Sequence, residues 1–76
     1  MDIVTISAKV AAILAPCNGY YRFILQIPER KKPFWALVND ELLLKIGKTY
    51  ELSGVWTYIM NQELSEGNLA FLIMID

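Results

Sequence analysis

Arg30, Lys31 and Lys32 stand in a row within PERKKPFW, a stretch that runs from Pro28 to Trp35 and ends on two aromatics. Cations beside flat rings can do one familiar piece of chemistry. The charges displace counterions from phosphates, and each ring stacks on a base for about 1–3 kcal/mol. A plainer explanation competes. Charged residues between two prolines also make a solvated hairpin tip that keeps strand edges from pairing with other chains. Catalytic chemistry has less to work with. The chain has no His and a single Cys, and it lacks a GxxxxGK phosphate loop. No Ser has a plausible base. Glu63 and Glu66 fit a polar loop, and Asp40-Glu41 fits a cap. No catalytic residue, metal or cofactor is therefore expected, and the chain does not read as an enzyme.

Length and composition narrow the setting. At 76 residues, 55% of them hydrophobic, the chain is one domain, 1–76, with a thin core. Cys17 is alone, so no intrachain disulfide can staple it, and its place in a turn reads as incidental. Small unstapled domains often lean on self-association, so a homo-oligomer is expected. The net charge of −1 does not suit a protein that coats duplex nucleic acid; any polyanion grip must come from local segregation of charge. Met1-Asp2 opens without a basic region, and no run reaches the roughly 18 apolar residues of a membrane helix. A soluble, cytoplasmic protein without membrane contact is the expectation.

Positioning these residues falls to strands, because alternation dominates the sequence. Val4, Ile6, Ala8, Val10, Ala12 and Leu14 share one parity of a long first strand, and β-branched residues favour strand over helix there. Lys9, on the other parity, reads as a gatekeeper against aggregation in preference to a phosphate contact. Pro16-Cys17-Asn18-Gly19 is a turn, with Asn-Gly the strongest short hairpin signal. In YYRFILQI, Tyr21, Phe23, Leu25 and Ile27 share one face, leaving Tyr20, Arg22, Ile24 and Gln26 on the more polar one. A third strand spans Phe34 to Val38, and Asn39-Asp40 could cap a short helix or turn through Ile46. Gly47-Lys48 restarts extended structure, which Gly54 interrupts as a bulge or bend. Residues 61–68 read as a polar loop with a Gly67-Asn68 turn, and Leu69 to Ile75 as a last strand.

Five strands with a short helical or irregular piece between the third and fourth must hide their edges, and closing into a barrel does so. That order fits the OB-fold, a five-stranded Greek-key barrel. The SH3-like barrel fits less well because its short turn sits between the last two strands. The stretch PFWALVNDELLLKIGKTYELSGVW resembles the third-strand-to-fourth-strand region of OB-fold single-stranded-DNA-binding proteins. In its short connections the chain is similar to a minimal OB module more than to a full-length bacterial member, which carries an acidic, Gly-rich tail.

The resemblance implies binding of single-stranded nucleic acid, DNA in preference to RNA, in replication or recombination. On such a barrel the binding surface is the outer face of strands two and three with adjoining loops. Tyr20 and Arg22 fall on that face of strand two, and Arg30, Lys31 and Lys32 in the loop that follows. Trp35 points outward if Phe34, Ala36 and Val38 point inward. Lys48 opens strand four near the neighbouring loops. Trp56 and Tyr58 are core if Gly54 is regular and outward if it is a bulge; Tyr58 is taken as outward. These eight residues, Tyr20, Arg22, Arg30, Lys31, Lys32, Trp35, Lys48 and Tyr58, are the candidate nucleic-acid contacts. The alternative is an assembly module without nucleic-acid affinity, with Ile3, Ile13 and Ile24 as its interface.

Overall fold

A computed structural model describes residues 2–60 and 69–75. Five strands form in chain order: β1 (Val4–Cys17), β2 (Tyr20–Gln26), β3 (Phe34–Val38), β4 (Thr49–Tyr58) and β5 (Leu69–Ile73). They close into a barrel in the order β1-β2-β3-β5-β4, with β4 returning to β1. β3 and β5 run parallel; the other neighbours are antiparallel. This is the topology of an OB-fold-like barrel, as the order of elements led one to expect.

Local chemistry explains each junction. Asn18 and Gly19 adopt φ of 50° and 82°, the left-handed pair that a tight two-residue hairpin needs. β1 is long because it serves both sides of the barrel. Its first half pairs with β4 from Val4 to Lys9, and its second half pairs with β2 from Lys9 to Cys17. Between Val10 and Ala12 the register shifts by one residue. The pairing register is interrupted there, yet the single parity expected from Val4 to Leu14 holds in the burial. Ala8 and Val10 are buried, Ala12 and Leu14 are half-buried, and Ala11 and Ile13 between them are exposed, Ile13 by 48%.

The connection between β3 and β4 contains bends and a turn where a short helix was also possible. Leu44 is buried and Leu42 packs on the core, whereas Leu43 between them is 85% exposed. That alternation is the period of an extended chain, and a helix would not place both leucines on one side at that spacing. Asp40 does bind a free N–H, but the neighbouring one: its Oδ1 accepts from Glu41 N at 2.8 Å. Gly47, at φ 87°, then turns the chain so that its N–H donates to Val10 O at 2.8 Å, and Val10 N donates to Lys48 O at 2.9 Å.

Gly54 is regular where a bulge was one expectation. It pairs with Val4 and Ile73, and Leu52, Gly54 and Trp56 keep one inward parity. Its reason is space: a Cβ there would overlap the carbonyl oxygen of Leu72 and press on the Phe71 ring. The core beside it is aromatic. Phe34, Trp56 and Phe71 meet edge to face, with Trp56 centroids 4.9 and 5.0 Å from the two phenylalanines. Leu37, Val55 and Ala70 are buried as well, although their register places them on the outer wall of β3, β4 and β5.

Candidate nucleic-acid interface

β2 and β3 are joined by residues 27–33, the basic hairpin. Arg30 N donates to Ile27 O at 3.2 Å and folds the loop back toward the barrel. The Arg30 guanidinium then rests 4.8 Å from the Trp56 ring centroid and 6.0 Å from that of Phe34. A cation over an aromatic face is attracted by the ring quadrupole, which favours this seat for Arg30 at the barrel end. Phe34 belongs to the core cluster and Trp56 packs against it, so the hairpin is seated on the edge of the core.

Trp35 projects from the outer wall. It pairs with Ile24 on β2 and Ala70 on β5 and is half-buried, against the full burial of Phe34 and Ala36 on either side of it. Arg22, two residues from Ile24, places its guanidinium 5.7 Å from the Trp35 ring centroid. The same Arg22 donates from Nε to Ala15 O at 2.7 Å, which braces it across the β1–β2 hairpin. A groove of about 360 Å³ opens beside Trp35, lined by Arg30, Lys32, Pro33, Phe34, Trp35 and Leu69. Two cations and an indole thus share one hollow. Tyr58 is 73% exposed and lies opposite Leu69 at the same end of the barrel.

The other candidates stand apart from this hollow. Lys31 is exposed at the tip but does not line the groove. Tyr20 begins β2 at the far end from the basic hairpin, beside a hollow formed with Asn39, Leu72 and the residues after it. Lys48 is exposed on the β1–β4 side, where its backbone clips to Val10. The arrangement therefore groups Arg22, Arg30, Lys32, Trp35 and Tyr58, and leaves Lys31, Tyr20 and Lys48 outside the group. Leu69 was not anticipated as a lining residue. It enters because β5 inserts between β3 and β4, a placement that parity within single strands does not reveal. Residues 61–68, read as a polar loop with a turn, lie outside the described residues.

Among the described residues no helix is long and apolar enough to cross a membrane, and no three Cys, Asp or Glu side chains group as a metal site requires. Comparison with known proteins finds no matching family model, no matching curated protein and no matching solved structure. The class that the fold defines is thus a small, closed, mixed β-barrel of OB-like topology.

Proposed function

We propose that this barrel binds single-stranded nucleic acid, DNA in preference to RNA, along the wall of β2 and β3. One observation carries the reading: Arg30, Lys32 and Trp35 line a common groove. Phosphates would lie against the two cations, and a base would stack on the outer part of the indole, the Arg22 guanidinium bracing it from the strand beside it. A hollow lined by an indole and two cations suits splayed bases rather than a duplex, whose major groove calls for an inserted helix or ribbon. Little sequence preference follows, because every base has a face to stack. Work on exposed single strands, as in replication or recombination, is the setting this binding mode fits.

A gel-shift titration against single- and double-stranded oligonucleotides tests the reading. The native chain should retard oligo-dT and leave duplex of equal length unshifted at moderate salt. The double substitution Lys31→Glu with Lys32→Glu should weaken oligo-dT binding about tenfold or more and flatten its salt dependence, since it reverses charge on the hairpin. Unaltered affinity in that variant would contradict the assignment.

A second reading, self-association, draws on other residues. Ile3 is 58% exposed and Ile75 45%, and β1 and β5 bring these ends to the two edges of β4 around Gly54. Ile13 and Ile24 stand elsewhere: Ile13, 48% exposed, borders a hollow with Leu42 and Leu43, and Ile24 lies on the β2 wall opposite Trp35. Light scattering at high concentration decides this, and a homo-oligomer that keeps the β2–β3 wall free is compatible with strand binding.

A further inference from the structure

Lys9 stands where β1 exchanges partners. It pairs with Gln26 on β2 and also with Thr49 on β4. A gatekeeper protects a free edge, and Lys9, held on both sides, has none to protect. Side chains directly opposite in a ladder share a face, so Thr49, Lys9 and Gln26 form one outward row across three strands. Above that row is a second groove, of about 520 Å³, lined among others by Ser7, Lys9, Gln26, Glu29, Arg30 and Thr49. Two hydroxyls and an amide beside an ammonium are donors that a phosphate oxygen accepts. Two carboxylates are near: Glu29 in the lining, and Glu51 opposite Ser7 in the ladder.

Arg30 lines this groove and also the Trp35 groove. Its guanidinium, seated over Trp56, sits on the ridge between them. We propose that a single strand held at Trp35 continues over Arg30 into the second groove, where Lys9, with Ser7, Gln26 and Thr49, takes a phosphate of the same strand. This rests on the binding function proposed above and extends its footprint from the β2–β3 wall to the β1 side of the barrel. Glu29 opposes the phosphate and limits how tightly the second groove holds it.

The test compares oligo-dT of about 4 nucleotides with oligo-dT of about 12, the range in which one OB barrel engages a strand. Affinities are read by anisotropy of labelled oligonucleotide for the native chain, Lys9→Gln and Glu29→Gln. Lys9→Gln should weaken the longer strand roughly three- to tenfold, lower its salt slope by about 0.7, and leave the shorter strand unchanged. Glu29→Gln should tighten the longer strand selectively. Lys9 is exposed, so the variant should melt with the native chain, which a thermal scan checks. Equal losses at both lengths, or no loss at either, overturn the second groove while leaving the first intact. A native chain that binds neither strand overturns the proposed function, and this inference with it.

Discussion

At the scale of single residues, Trp35 and Gly54 carry the account. Trp35 is outward because Phe34 and Ala36 are inward, and the flanking Pro33 leaves the start of that alternation ambiguous by one position in sequence. Replacing Trp35 with Ala removes the proposed stacking platform. Oligo-dT affinity should fall by about 1–3 kcal/mol, with the fold unchanged by circular dichroism. Gly54 was legible as a special position, but not for its reason: a bulge and a close backbone approach leave the same letter in a strand. Gly54→Ala forces Leu72 and Phe71 to move and should cost about 2–3 kcal/mol, lowering the melting temperature by roughly 10–20 °C. Arg30 shows the opposite limit. Its charge was evident, yet its seat over Trp56 depends on β4 crossing the barrel to reach β5, which no local pattern encodes.

At the scale of elements, β2, β3 and the Asn18-Gly19 hairpin follow directly from alternation and turn chemistry. β1 follows its alternation as well, but its register shift after Val10 was not legible, since no glycine marks it and Ala11 gives no sign of it. The β3–β4 connection was ambiguous because ELLLKI is apolar enough for a helix. The barrel instead offers an open end that an extended segment fills with Leu42 and Leu44, helped by Lys45 N donating to Tyr50 Oη at 3.0 Å. A paired substitution separates the two conformations. Leu44→Ala should cost about 2–3 kcal/mol in urea denaturation, and Leu43→Ala should fall within about 0.5 kcal/mol of native. Similar losses at both positions would favour a helical plug.

At the scale of the whole molecule, a chain with net charge −1 relies on where its charge lies. The acid-to-base balance is even, but the hairpin after β2 carries Arg30, Lys31 and Lys32 to one end of a barrel 27 × 26 × 24 Å across, next to an indole. Fold class was readable because five strands in this order have few ways to hide their edges. The candidate site was readable only in part, since closing the barrel decides which loops meet: it groups Trp35 with Arg30 and leaves Lys48 on the other side. The central claim is that this meeting point holds a single strand by charge and stacking. Tryptophan fluorescence, titrated with oligo-dT at a series of salt concentrations, tests it most directly. The account predicts saturable quenching whose affinity falls steeply as salt rises, by about 0.7 in log–log slope for each phosphate contacted. Emission that stays unchanged at low salt, at protein concentrations where the barrel is folded, would contradict it.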